Sequence, residues 1–437
     1  MSDAPQSLLL AYYGDDFTGS TDALEFLSRA GARTALFLAP PTPAQLARHP
    51  GLQALGVAGL TRSLAPDAME AELRPAFTAL RALQPRHVHY KICSTFDSAP
   101  TIGSIGRAID VGTQVFGGRW VPLLVGAPAL GRHCVFGNLF ARMGTGSTGE
   151  TYRLDRHPSM SRHPMTPALE SDLRLHLAQQ TSKRIGLFDI LKASLSLEEA
   201  RAALDGIVAA GAEIVLFDVL ESHQMARLGA LIDAAAGQGT PVFSAGSSGV
   251  DMALGNHWAE QGKLTAVTTW PDPGPAGPLL VVSGSCSPVT SGQIDWAEAN
   301  GSSIIPLDPS SPDVTGVTAR ALAELRAGRN TVICTNRGEA GAPVAASALG
   351  TTCGRIALAA IQQAGLRRLV VAGGDTSSYA GRALTIEAVE MIAPLAPGAP
   401  LCRAFAPGAP ADGLEVVFKG GQVGAPDFFD AVARGKI

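Results

Sequence analysis

Short, continuous runs of Val, Ile and Leu alternate along this chain with helix-length amphipathic stretches, and no other feature constrains the fold as tightly. "LLLAYY" (8 to 13), "TALFL" (34 to 38), "ALGVAGL" (54 to 60), "HVHYKI" (87 to 92), "VPLLVGA" (121 to 127), "RIGLFD" (184 to 189), "EIVLFDV" (213 to 219) and "PVFSA" (241 to 245) read as strands. Stretches such as "APDAMEAELRPAFTALRAL" and "SLEEARAALDGIVAAG" separate them as helices. Strands that lack polar alternation are buried on both faces, which predicts a mostly parallel sheet covered by helices. Residues 265 to 278, "TAVTTWPDPGPAGP", break the rhythm with prolines and no apolar period, as a linker does. The alternation then restarts with "LLVVSG" (279 to 284), "SSIIPLD" (302 to 308), "NTVICTN" (330 to 336), "RRLVVAGG" (367 to 374) and "LEVVFKGG" (414 to 421). The pattern predicts an α/β protein of two domains, 1–264 and 279–437, each a mostly parallel sheet flanked by helices. A chain of 437 residues suits two cores.

Charge bears on partners. A net charge of −4 and no Lys/Arg run leave no basic field for nucleic acid, so an anionic ligand has to be met by a few placed cations. The 6 cysteines are scattered without a CxxC pair and read as reduced thiols. The N-terminus shows no positive leader, and its apolar run is too short for a signal or a membrane span. The expectation is a cytoplasmic protein without membrane or nucleic-acid partners, with a homodimer left open.

In open α/β sheets ligands gather beyond the carboxyl ends of strands. Asp15 and Asp16 follow the first strand in "YYGDDFTGSTDALEF". One acid is accounted for as a helix cap; the second repels its neighbour unless something positive, such as a metal ion or a proton, is shared. Asp15 and Asp16 are both catalytic candidates: one acts on a substrate hydroxyl while its neighbour caps the helix or helps position a metal, with Asp15, directly after the strand, the better placed for the hydroxyl. "GLTRS" supplies Arg62, and "YKICSTFDS" supplies Lys91, Ser94, Thr95 and Asp97. An Arg, a Lys, hydroxyls and carboxylates at one sheet edge suit a small polyhydroxylated acid.

The second half carries glycine and hydroxyl loops. "RRLVVAGGDTSSYAGRAL" sets Gly373, Gly374, Asp375 and Thr376 between strand and helix, where free N–H groups meet a phosphate and Asp375 is placed to hold a metal ion. "VVSGSCSPVTSGQ" places Ser283 and Ser285 before Pro288, and "VVFKGGQVG" sets Lys419 beside Gly420 and Gly421. Together they suggest a nucleotide site, although no GxxxxGK[ST] exists. "GTGSTG" (144 to 149) lacks the strand and helix of a dinucleotide loop, and "HVH" (His87, His89) lacks a third zinc ligand. "RLDRHPSMSRHPMTP" reads equally as a pocket cover and as a surface excursion.

"GDDFTGSTDALEFLSRAG", "KICSTFDS", "RLDRHPSMSRHPMTP", "SGSCSPVTSGQI" and "GGDTSSYAGRAL" together resemble the four-carbon acid sugar kinases, over nearly the whole chain. The resemblance implies an N-terminal sugar-acid-binding domain, a C-terminal nucleotide-binding domain, and ATP-dependent phosphorylation of a tetronate-type acid at its terminal hydroxyl, a transfer that calls for Mg²⁺ to neutralise charge. It implies substrate contacts at Asp15, Arg62, Lys91, Ile92, Cys93 and Ser94. It implies nucleotide contacts at Ser285, Gly373, Gly374, Asp375, Thr376 and Gly421. Where threonate and erythronate kinases read "DSTLRG" after the lysine, this chain reads "CSTFDS", which resembles the 3-oxo-tetronate kinases.

Overall fold

The computed structural model describes residues 8–144, 149–163, 165–236, 240–310, 312–335 and 345–436. Every expected strand forms. In chain order the strands are β1 (Leu10–Gly14), β2 (Thr34–Phe37), β3 (Ala54–Ala58), β4 (His87–Lys91), β5 (Val121–Leu124), β6 (Arg132–Val135), β7 (Asn138–Arg142), β8 (Thr151–Arg153) and β9 (Ile185–Phe188). They continue with β10 (Ile214–Phe217), β11 (Val242–Gly246), β12 (Leu280–Ser283), β13 (Ser303–Pro306), β14 (Thr331–Cys334), β15 (Arg368–Ala372), β16 (Ala388–Ala396), β17 (Ala399–Phe405) and β18 (Glu415–Lys419).

The two halves share one sheet. Its 15 strands run β13-β14-β12-β15-β18-β17-β16-β2-β3-β1-β4-β11-β5-β10-β9. Each flank is parallel, and the antiparallel hairpin β16–β17 splices them: Ala388 and Val389 register with Phe37 and Leu36, while Cys402 and Arg403 register with Val416 and Glu415. The apolar run at 388–405 lacks the strand–helix alternation, so the splice is invisible to that pattern. A single hydrophobic cluster accordingly spans both halves, from Leu10, Leu24 and Trp258 to Val282, Leu369 and Phe418. Residues 265–279 carry no helix or strand.

The order β2-β3-β1-β4 positions the site. Helix Phe17–Arg29 follows β1 and buries Ala23 and Leu24 on one face of the sheet. Helix Pro66–Ala82 follows β3 and buries Leu73 and Phe77 on the other. The connections leave β1 and β3 toward opposite faces, which opens a crevice between the loops after these strands. A separate antiparallel sheet, β6-β7-β8, projects from the same half.

Candidate active site

Main-chain hydrogen bonds stitch three strand-end loops together before any side chain acts. The Asp15 N–H donates to the Lys91 carbonyl (2.8 Å), and the Asp15 carbonyl accepts from the Arg62 N–H (3.0 Å). Asp16 caps helix Phe17–Arg29, accepting from the Gly19 N–H (2.6 Å) and the Thr18 hydroxyl (2.9 Å). Arg62 grips Asp15 with two donors, Nε to Oδ2 (3.0 Å) and Nη2 to Oδ1 (2.7 Å), and reaches Asp16 Oδ2 with Nη1 (2.7 Å). The positive partner that two adjacent acids demand is therefore a side chain of the chain itself. Three of the five guanidinium donors are committed to protein carboxylates; the side chain stays 25% exposed, so the remaining N–H groups border the cleft. Burial opposes the Arg62 charge, but Asp15 and Asp16 outweigh it and hold the guanidinium protonated. Burial raises the Asp15 carboxyl above its ordinary value, with Arg62 pulling it down and Asp16 pushing it up.

Gly19 forms the floor of this crevice. A Cβ there would lie 2.7 Å from Asp16 Oδ1, 3.3 Å from Lys91 Nζ and 3.6 Å from Arg62 Nη2, so both cations flank one small opening that only glycine leaves clear. Lys91 is buried, donates to the Ile92 carbonyl (2.9 Å) and stands 3.5 Å from Asp22 Oδ2. Of the residues that follow, Ile92 is fully buried and supports the wall, whereas Cys93 and Ser94 are half-buried at the edge. The Cys93 sulfur contacts the Thr95 hydroxyl (2.9 Å), which donates to Asp97 (2.7 Å). Burial, then Asp97, push the Cys93 thiol up to about 11, which disfavours its thiolate.

The other half presents mostly backbone at the corresponding strand ends. The loops after β12, β15 and β18 touch: the Gly373 N–H donates to the Lys419 carbonyl (2.9 Å), the Gly284 N–H to the Ala372 carbonyl (3.1 Å), and a Cβ on Gly421 would strike Ser285 Oγ at 2.8 Å. Gly373 adopts φ +116°, a region that disfavours side chains, and helix Gly374–Ala383 begins there without a side-chain cap, with Asp375 and the buried Thr376 in its first turn. Ser283 lies one step deeper, its hydroxyl accepting from the Ser285 N–H (3.4 Å). Lys419, a candidate nucleotide residue, lies under the loop. It is fully buried and donates to the Thr290 hydroxyl (3.0 Å) and the Gly420 carbonyl (3.1 Å), so it braces the Gly420–Gly421 turn from beneath. Burial lowers its ammonium to about 7.

The two sets of loops meet face to face. A Cβ on Gly374 would sit 3.1 Å from Asp16 Oδ2, and one on Gly420 would sit 3.8 Å from the Thr18 hydroxyl. Arg382, at the far end of helix Gly374–Ala383, donates to the Leu38 and Ala58 carbonyls (both 3.1 Å), the carboxyl ends of β2 and β3. Asp375 opens to solvent at the cleft; partial desolvation and then the charge of Asp16 raise its carboxyl, while Arg62 lowers it. Among the described residues no group of three or more His, Cys, Asp or Glu side chains could hold a metal ion. Asp16 and Asp375, two facing carboxylates, fit only an ion that takes its other ligands from groups outside the protein such as phosphate and water, as Mg²⁺ does.

His87 and His89 are buried structural groups, bonded to Asp233 (2.9 Å) and near Ser244 (3.3 Å). Thr145 to Thr148 of "GTGSTG" lie outside the described residues. The "RLDRHPSMSRHPMTP" stretch forms tight turns at Leu154–Arg156 and Met160–Arg162, and brings His157 within electrostatic reach of Arg132 and Asp97, beside the sugar-side loop. Ser248 and Asp251, behind Lys91, were not expected. Their signal was present in "SAGSSGVDMALG", which repeats the strand–glycine–hydroxyl–helix order of the nucleotide loops.

Comparison with known proteins assigns each half of the chain to a described domain. A family described as a sugar-binding N-terminal domain matches residues 10–254, and one described as a nucleotide-binding C-terminal domain matches residues 280–429. A 3-oxo-isoapionate kinase of Paraburkholderia graminis is 41% identical over 99% of this chain and 96% of its own. The chain belongs to the four-carbon acid sugar kinase family. Another relative of this kinase, a 3-oxo-tetronate kinase of Methylobacterium radiotolerans, is 31% identical over 97% of this chain and 98% of its own. The same fold occurs in a Salmonella typhimurium protein described as a putative tRNA synthase (TM-score 0.76, 22% identity, 98% of this chain and 100% of that one). It also occurs in a Haemophilus influenzae protein (TM-score 0.69, 21% identity, 97% and 98%). Both resemblances bear on the fold alone. The family acts on a hydroxyl group as a phosphotransferase, and no described helix is long and apolar enough to cross a membrane.

Proposed function

We propose that this kinase transfers the γ-phosphoryl group of ATP to the terminal hydroxyl of a 3-oxo sugar acid, in the crevice where Asp16 faces Gly374. That juxtaposition carries the reading, because it sets a charged sugar-acid floor against the uncapped start of a glycine-rich helix. Lys91 and the outward N–H groups of Arg62 receive the substrate carboxylate, with Cys93 and Ser94 at the rim and Ile92 behind. Ser285, Gly373 to Thr376, Gly420 and Gly421 cradle the phosphates, while Ser283 and Lys419 hold those loops. Asp375, with Asp16, would hold Mg²⁺, which neutralises phosphate charge when bound. Asp15 accepts the hydroxyl proton as the oxygen attacks the γ-phosphorus and the bond to the β-phosphate bridging oxygen breaks, releasing ADP. Each Asp15 oxygen keeps a lone pair beyond its bond to Arg62, and burial makes the carboxylate more basic than one in water.

The "CSTFDS" variant points to 3-oxo-tetronate, whereas the higher identity is to a 3-oxo-isoapionate kinase. ADP release measured across 3-oxo-isoapionate, 3-oxo-tetronate, threonate and erythronate separates these. The highest kcat/KM is expected for a 3-oxo acid, with 3-oxo-isoapionate ahead. Preference for threonate or erythronate would shift the assignment within the family, and tight sugar-acid binding without ADP release from any of them would refute phosphoryl transfer to this substrate class.

A further inference from the structure

Behind Lys91, away from the cleft, four elements close a polar chamber. β4 contributes His89, helix Phe17–Arg29 contributes Asp22, helix Ser248–Glu260 contributes Ser248 and Asp251, and β1 contributes Tyr12. All are buried. Asp22 Oδ2 accepts from the Ser248 hydroxyl and lies 3.5 Å from Lys91 Nζ. Both carboxyl oxygens of Asp251, Asp22 Oδ1 and His89 Nε2 are buried without a hydrogen-bond partner, and His89 Nε2 stands 4.0 Å from Asp251 Oδ2. Buried polar atoms left unpaired destabilise a fold, so stability does not account for a second carboxyl here.

We propose that Asp251 is a positioning residue for the sugar-acid pocket: it sets the net charge of the chamber behind Lys91, and thereby how strongly Lys91 attracts the substrate carboxylate. The inference rests on the reading that Lys91 receives that carboxylate. Asp22 supplies one counter-charge to the lysine. A neutral Asp251 leaves the pair balanced, and an ionised Asp251 makes the chamber net negative, opposing an incoming anion across a medium that screens weakly.

The surroundings single out Asp251 as the group that switches. Burial lifts its carboxyl to about 7, with Lys91 opposing and Asp22 assisting. His89 stays neutral, because burial and then Lys91 hold its imidazole down to about 3. Burial, then Asp251, push the Tyr12 phenol far up, so it stays un-ionised. Other charges on the neighbouring elements are engaged elsewhere: Glu25 with Arg29 and the Gly398 N–H, Asp233 with Arg86, His87, Trp258 and His257, and Arg227 with the Ala193 and Leu195 carbonyls. The sign follows. Below about 7 Asp251 is protonated and the pocket attracts the acid; above it the carboxylate forms and attraction weakens.

The test is the pH dependence of KM for the preferred 3-oxo acid at saturating ATP. Between about pH 6 and about pH 8.5 the wild-type KM is expected to rise roughly threefold to tenfold, while Asp251→Asn holds the low-pH value throughout with kcat little changed. A flat wild-type profile, or a rise that persists in folded Asp251→Asn, overturns the proposal. If that variant does not fold, Asp251→Ser, which cannot ionise either, takes its place in the same comparison. Calorimetry of sugar-acid binding near pH 7.5, in buffers of different ionisation enthalpy, is expected to show proton uptake, and none would refute the inference. Lys91→Met separates the two levels. An unchanged KM in that variant sinks the assignment of Lys91 itself; a raised KM with a flat wild-type pH profile sinks only the role of Asp251.

Discussion

On the proposed reading, the two walls of the cleft hold an anion by opposite means. The sugar-acid wall is built from side-chain charge packed to the point of mutual neutralisation: Asp15, Asp16, Arg62, Lys91 and Asp22 each lean on another. Among the described residues the nucleotide wall is mostly backbone: beside the exposed Asp375 it presents Gly373, Gly374, Gly420, Gly421 and the hydroxyl of Ser285, while Lys419 is buried beneath the surface. One wall should then be sensitive to charge at constant volume, and the other to volume at constant charge.

The largest effect is expected where charge and chemistry coincide. Asp15→Asn keeps the shape and removes the proton acceptor, and should cut turnover by about 10²-fold or more. Asp16→Asn should instead weaken the cap of helix Phe17–Arg29 and the Asp375 side of the cleft, lowering thermal stability or raising the Mg²⁺ requirement. Turnover at saturating substrate beside a melt for each variant checks the division: a folded, active Asp15→Asn protein excludes Asp15 as the base, and a folded, dead Asp16→Asn protein moves the role one residue along.

On the opposite wall, Gly374→Val adds volume and no charge. Its side chain would enter the gap before Asp16 Oδ2, so the KM for ATP should rise roughly tenfold to a hundredfold while sugar-acid binding measured without nucleotide stays nearly normal. Equal loss of both ligands in calorimetry would erase the contrast between the walls. Arg62→Ala comes next in size. It removes a charged partner worth about 1.5–3 kcal/mol and leaves two buried acids repelling, so sugar-acid KM should rise roughly tenfold or more and the melt should fall. Arg62→Lys should not restore either, since a point charge cannot make the fork to Asp15; full rescue by lysine would mean that the geometry of the fork is irrelevant.

The contrast between the walls also explains what the sequence displays and what it hides. Strands and strand-end loops are legible because their signals are local: an apolar run, then glycine and hydroxyls, then a helix period. Asp16 as a cap follows from position alone. Pairing across the chain is not local. Nothing near Arg62 tells that its donors close on Asp15 and Asp16, nothing near Lys419 tells that helix Pro288–Ala299 covers it, and nothing in the 388–405 run tells that it splices two sheets into one. Gly19 reads as an ordinary first-turn glycine until Lys91 and Arg62 are brought over it from other strands.

The splice yields the smallest prediction. Glu25, fully buried on helix Phe17–Arg29, accepts from the Gly398 N–H (2.8 Å) at the tip of the β16–β17 hairpin and pairs with Arg29 (3.2 Å), so a side chain of one half holds the turn of the other. Burial, despite the Gly398 bond, lifts its carboxyl to about 7. An acid whose folded value is raised keeps its proton in the native state after the unfolded chain has released it. Its contribution is therefore intact below about 4.5 and is lost as pH rises from there through about 7. Glu25→Gln retains an acceptor for Gly398 and cannot ionise; what it forfeits is a pair with a half-exposed arginine, worth little. Relative to wild type, the variant should be equal or slightly weaker at low pH and should gain about 1–3 kcal/mol by pH 8, with turnover changed less than about twofold. Melting curves of both proteins at matched pH check this: a difference that does not grow between pH 4.5 and 7 would mean that the glutamate is already ionised in the fold, and that the hairpin is held by charge as the sugar-acid wall is.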